Sequence, residues 1–123
     1  MSFANDIKKA TDRYKKGFDE VARTSLFKLA RGVVLATPKD EGRAQGNWHA
    51  TIDGYDSTKT FDTTSPQWQE IERVSGEIET NTFYLINNLP YIGKLEYEHP
   101  NGAMVRMSIE NFPVYLQETI NNL

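Results

Sequence analysis

The chain has 123 residues, a length suited to one domain, with 38% hydrophobic residues and a net charge of −3. It contains no cysteine, which excludes a disulfide framework and a thiolate metal site. No stretch approaches the roughly 20 apolar residues of a membrane span, and Met1 to Asp6 lacks the apolar run of a signal peptide, so use in a cytosol is expected. The charge is unevenly spread. Residues 1–43 hold ten Lys/Arg against six Asp/Glu, a balance of +4, and residues 44–123 hold four against eleven, a balance of −7. A basic N-terminal element could meet an acidic surface on a copy of itself or on a partner. Neither half is basic enough to argue nucleic-acid binding by itself.

Phe3, Ile7, Ala10, Tyr14, Phe18 and Val21 recur at helical spacing and predict one long helix over 3–35. From Ala22 the stripe moves: Ala22, Leu26, Leu29 and Val33 lie roughly a quarter turn around. A curved helix on one core, or two partners for its two halves, would each account for the shift. Thr37-Pro38 ends the run. Residues 37–47 read as a polar, turn-rich connection. Trp48, Ala50 and Ile52 then alternate with His49, Thr51 and Asp53 as a strand, with Trp48 buried and His49 pointing outward.

Residues 55–65 have no clear period and read as a loop or a Thr-rich edge hairpin, the least ordered interior segment. Ser65-Pro66 reads as the cap and first position of a short middle helix over 66–75. Trp68, Ile71 and Val74 face inward, and Gly76 closes it. Glu77 to Asn87 reads as a strand with apolar residues on both faces, Phe83 and Leu85 against Tyr84 and Ile86, and so as central in its sheet. Pro90 fits the first position of a short helix with Tyr91, Ile92 and Leu95 on one face. Pro100, Asn101 and Gly102 turn the chain. Ala103 to Leu123 reads as a C-terminal helix through Met104, Met107 or Ser108, Asn111 or Phe112, Tyr115, Leu116, Thr119 and Ile120. Pro113 kinks it or splits it near Asn111. The reading is an α+β fold of one domain over 1–123, a small, mostly antiparallel sheet packed with these helices.

Three motifs occur in series. Gly42-Arg43-Ala44-Gln45-Gly46-Asn47-Trp48 resembles the Gly-Arg-Ala-x-Gly-Asn-Trp signature of the tail completion proteins (neck or tail terminator proteins) of long-tailed bacteriophages. Asn88-Leu89-Pro90-Tyr91 to Leu95-Glu96-Tyr97 is similar to that family's Asn-x-Leu-Pro-Tyr…Leu-Glu-Tyr block. Gly102-Ala103-Met104-Val105-Arg106 is similar to its Gly-x-Met-Val-Arg segment. The resemblance extends from the first helix to the last. It implies an α/β fold with a small antiparallel sheet carried by helices. It also implies a ring, usually of six subunits, that caps the tail tube and joins it to the head connector or stopper. DNA then passes through the hole without specific binding, and the protein belongs to the virion. The chain departs from the family after Leu-Glu-Tyr. Members often have Gly-His-Ser and a Gln-Ala-Pro stretch there, and this chain has a shortened Glu98-His99-Pro100-Asn101.

The candidate interface residues are Lys9, Arg13, Lys16, Arg43, Glu96, Glu98 and Arg106. The basic face of Lys9, Arg13 and Lys16 would meet the acidic remainder of the next subunit, head-to-tail. Arg43 and Arg106 each offer a planar fork of donors to a partner's carboxylate. Tyr91 and Tyr97 read as core. Glu96 and Glu98 are two residues apart on a short helix and do not share a face, so solvated or interface charges are expected. No catalytic, cofactor or metal site is expected. The two histidines lack further ligands, and no Gly-rich phosphate loop or nucleophile set stands out. Two rival readings remain: a small enzyme or ligand-binding domain with Glu96, Glu98 and His99 beside a pocket, and a nucleic-acid-binding module using the basic helix.

Overall fold

The computed structural model describes residues 3–39, 42–52, 54, 59–78 and 82–122, and of residues 3, 11 and 13–18 the backbone alone. Helix α1, Phe3–Ala36, is unbroken over 34 residues, about 51 Å at the α-helical rise. Its second half is the spine of the molecule. Ser25, Ala30, Val33 and Val34 are buried there, under α3 (Trp68–Gly76), α5 (Met104–Glu110) and α6 (Phe112–Asn121). Ile71, Val74 and Met104 complete the helical side of the core, and Trp48 and Ala50 close it.

Of the stripe predicted on the first half of α1, Ile7 and Ala10 are exposed and Val21 is half-buried, while the side chains of Phe3, Tyr14 and Phe18 lie outside the described ones. The described side chains from Ala4 to Ala10, and Asp12, are exposed. Among the described residues, the contacts of the covering helices fall on the second half. Glu118 of α6 pairs with Lys28 at 3.8 Å, and past the end of α3 the Ile78 carbonyl accepts from Arg23 Nε at 3.2 Å. On the second half the core face is rotated from the predicted one. Val33 is buried, Leu26 and Leu29 are half-buried, and Ala22 is exposed.

Strand β1 (His49–Thr51) pairs antiparallel with β2 (Tyr84–Ile86), His49 opposite Ile86, Ala50 opposite Leu85 and Thr51 opposite Tyr84. The antiparallel sheet is as predicted, and its size is not. Among the described residues it has two strands, so β2 lies at an edge and not at a centre. The strand predicted over Glu77–Asn87 shortens to three residues, while 79–81 lie outside the described residues. Glu77 caps α3, and Ile78 is turned toward Arg23, which takes that end out of the ladder. Phe83 and Leu85 pack on the core beneath helices rather than between strands.

Other boundaries move for local reasons. Residues 37–47 were expected to be connection alone, and they contain a one-turn helix α2 (Arg43–Gly46). The middle helix starts at Trp68 with Gln67 before it, so Ser65 and Pro66 are not its cap and first turn. Ser65 N–H instead donates to Thr63 Oγ1 at 3.1 Å, a local side-chain turn that competes with helix. Helix α4 (Ile92–Tyr97) begins two residues after Pro90. Pro90 sits in a turn closed by Ile92 N–H on the Leu89 carbonyl, 3.2 Å. Pro113 splits the last helix at Asn111, between α5 and α6. The Asn111 amide still reaches Met107 O at 3.0 Å and the Tyr115 amide reaches Asn111 O at 3.2 Å, so the hydrogen-bond ladder of α5 ends, and that of α6 begins, at Asn111.

Candidate functional site in the two motif turns

The first motif is an internal fastener. Its Gln45 and Asn47 are buried, and each is spent on backbone that helix or sheet leaves unpaired. Gln45 Nε2 donates to Thr37 O at 2.9 Å. Asn47 Nδ2 donates to Phe61 O at 2.8 Å and to Arg43 O at 2.9 Å, while its Oδ1 accepts from Phe61 N–H at 2.7 Å. The Asn47 amide thus pairs with Phe61 as a neighbouring strand would. Trp48 Nε1 donates to Thr37 Oγ1 at 2.9 Å, and that hydroxyl donates to Val33 O at 2.7 Å, tying the indole to the end of α1. Gln67 Nε2 donates to Gly46 O at 2.8 Å and Asn87 Nδ2 to Ala44 O at 2.9 Å. Gly46 is required by this crowding, because a Cβ there would run into the Thr63 carbonyl.

His49 corrects an expectation. It is buried, not outward, because the segment through Phe61 covers that face of β1. Its ring lies 5.3 Å from the Phe61 ring, edge to face. Residues 55–58 of the expected mobile loop lie outside the described residues, and Lys59 to Ser65 run without strand or helix.

The second and third motifs form one clamp. Glu96 is buried, against the expectation of a solvated or interface charge. Its Oε1 accepts from Val105 N–H at 2.8 Å, and its Oε2 from Arg106 N–H at 3.3 Å and Arg106 Nε at 2.9 Å. Arg106 Nη2 reaches the Glu96 carbonyl, which also accepts from Ala103 N–H at 2.8 Å. Burial by itself would raise the Glu96 pKa. The Val105 amide, the Arg106 side chain and amide, and the Arg106 charge outweigh it and hold the carboxyl below its usual 4.5. The chain can double back this tightly because Gly102 has no side chain, and a Cβ would strike the Leu95 carbonyl. Ala103 takes a left-handed conformation, φ 58, to enter α5.

The candidate residues are only partly brought together. Glu96 and Arg106 meet. Glu98 is exposed at the end of α4, and His99 Nδ1 accepts from Asn101 N–H at 3.0 Å. Arg43 is exposed at the start of α2 and lines a shallow pocket with Asp62, Thr63 and Thr64. Lys9 is exposed on the first half of α1, and the side chains of Arg13 and Lys16 lie outside the described ones. Tyr97 corrects the core assignment. It is 72% exposed, with the Arg106 guanidinium 4.8 Å from its ring centre. Arg106 is divided, half its side chain holding Glu96 and half in solvent.

Sequence reasoning left Thr37, Gln67 and Asn87 without a role. The signal for them is a dense run of short polar residues beside Trp48, which a buried backbone turn needs. Among the described residues, no group of three or more His, Asp or Glu is placed to hold a metal ion, and no helix is long and apolar enough to cross a membrane. Comparison with protein-family models, curated proteins and solved structures finds no match to this chain.

Proposed function

We propose that the chain is a structural subunit of a bacteriophage virion, a tail completion protein that forms a ring at the head–tail junction. In this reading several copies, six in the family it resembles, cap the tail tube and join it to the head connector. DNA passes through the lumen without specific binding, and the protein carries no catalytic site or cofactor. The observation that carries the reading is the series of three motifs, Gly42–Trp48, Asn88–Tyr97 and Gly102–Arg106, in matching order along one chain. Their side chains also form a joined set. Asn87 ties β2 to the first motif, Asn88 Nδ2 donates to Lys59 O at 2.9 Å in the segment that Asn47 holds, and Glu96 joins the second motif to the third. The small antiparallel sheet carried by helices supports the same reading.

An enzyme acting through Glu96 is the weaker reading, because both of its carboxylate oxygens are already held by α5. The test is removal of the coding sequence from the genome that carries it, followed by electron microscopy of the lysate. Filled heads and separate tails are expected. Joined, infectious particles at normal yield would overturn the proposal.

A further inference from the structure

We infer that the outer edge of β2 pairs with the β2 edge of a second copy, antiparallel and about a two-fold axis at Leu85, so that two copies share one four-stranded sheet. The inference does not rest on the ring reading. A two-fold contact closes on itself and is not the head-to-tail joint of a ring.

The direction of the unpaired groups follows from the register and one side chain. Ala50 stands opposite Leu85 across the ladder. The Ala50 N–H donates to Glu70 Oε1 at 3.0 Å, so it points toward α3 and away from β2. In an antiparallel ladder, pairs that exchange hydrogen bonds alternate with pairs that do not. Ala50 and Leu85 are of the second kind, and the Leu85 N–H and C=O therefore point outward, to the side of β2 away from β1. Among the described residues neither group has a partner. No other described helix or strand runs alongside β2.

The two edges of the sheet are treated differently. That of β1 is closed: Glu70 holds its outward N–H, and α3 packs beside it. That of β2 carries none of the devices that keep an edge from pairing, which are charged side chains, proline or a covering element. Thr82 to Asn88 reads Thr-Phe-Tyr-Leu-Ile-Asn-Asn, without a charge or a proline, in a chain that is 25% charged. Phe, Tyr and Ile also favour strand. An outward N–H and C=O among such side chains is a template for one more strand.

The edge itself selects a second copy as the occupant. Turned about a two-fold axis at Leu85, it presents a donor to each acceptor: the Leu85 N–H of each copy meets the Leu85 C=O of the other. The side chains agree on both faces. Leu85, which packs on the core side, meets Leu85 of the second copy. Tyr84 and Ile86, on the opposite face, meet Ile86 and Tyr84 of the second copy, an aromatic–β-branched pairing that stabilises sheets. No like charges oppose each other, because the segment has none. A strand from an unrelated chain would have to match this uncharged pattern, and a second copy always carries it. Pairing also hides the edge from other chains.

The chain has no cysteine, so cross-links report position alone. In this pairing Tyr84 of one copy and Ile86 of the other form a pair without mutual hydrogen bonds, with Cα atoms about 4.5 Å apart, inside the range that a disulfide spans. The two Thr82 residues lie about 20 Å from each other along the paired strands. Full-length Tyr84→Cys and Ile86→Cys chains are mixed and oxidised mildly, and full-length Thr82→Cys chain is treated alike as the control. Circular dichroism checks that each variant is folded. The mixture should give about fivefold more dimer than Thr82→Cys. Random collision gives the reverse order, since Thr82 is exposed while Tyr84 is half-buried and Ile86 buried. That order would overturn the inference, as would equal yields. Native mass spectrometry supplies a second readout that needs no cysteine. The native chain should show a dimer, and Tyr84→Lys, which puts a charge on the edge, should shift it to monomer. A native chain that stays monomeric at its highest soluble concentration would leave the edge to a foreign strand and overturn the pairing. So would an assembly indifferent to Tyr84→Lys.

Discussion

The turn after α1 and the turn after α4 face the same task. Each reverses the chain between helices and leaves backbone N–H and C=O groups without partners. The first satisfies them with neutral groups: the Gln45, Asn47, Gln67 and Asn87 amides, the Trp48 indole and the Thr37 hydroxyl. The second uses an ion pair, Glu96 and Arg106, with the guanidinium half in solvent. Neutral bonds inside the core do not depend on pH or salt. A carboxylate at the rim does, so the second turn is the conditional one.

The largest effect should come from the neutral turn. Trp48→Ala removes a buried indole and leaves Thr37 Oγ1 without its donor, at an expected cost of about 3–5 kcal/mol. Urea denaturation measures it, and the loss should be the same in low and high salt. A cost under about 1 kcal/mol would mean that the ring does not seal the core.

Much of this turn could be read in advance, and its limits have physical reasons. Trp48 was legible because a large apolar ring at the start of an alternating run has few places to go. His49 was not, because in–out alternation assumes one solvent face, and the segment through Phe61 covers that face. The long helix and the break near Pro113 followed from periodicity and from a missing N–H. The rotation of the core face on α1 depends on where α3 and α6 happen to end, which no local pattern encodes. The candidate site was legible as residue types but not as partners. Glu96 and Arg106 were both picked out, but their pairing needs the tight return at Gly102, a close approach seen only in three dimensions. Tyr97 was misplaced for the same reason, since its ring lies under Arg106 rather than in the core.

The charged turn gives the next effect in size. Glu96→Gln keeps the shape and removes the charge. The expected cost is about 1–2 kcal/mol at neutral pH, with the ionic part reduced because Arg106 is half in solvent. The pH dependence has a definite sign. The folded carboxyl lies below its usual 4.5, so its contribution is complete above that value and fades as the pH falls through the lower, folded one. The stability gap between the native chain and Glu96→Gln should therefore close in acid. Denaturation series at neutral pH and at about pH 3 make the comparison. A gap of constant size would assign the effect to packing and remove the contrast between the two turns.

The smallest effect has the opposite sign. Ala103 holds φ 58, a conformation that costs an L-residue about 1–2 kcal/mol. The clamp imposes it, since the Ala103 amide is fixed on Glu96 O while the next two amides are fixed on the Glu96 carboxylate. Ala103→Gly removes the Cβ clash and loosens the unfolded chain, and these partly cancel. A net stabilisation of about 0.5–1 kcal/mol is expected. The gain should be smaller in the Glu96→Gln background, where a weakened clamp lets the turn relax without glycine. A double-mutant cycle measures that difference directly. If glycine stabilises both backgrounds equally, the strain belongs to the turn alone and the carboxylate does not enforce it. If glycine destabilises the native chain, the left-handed residue carries no strain, and the second turn is as relaxed as the first.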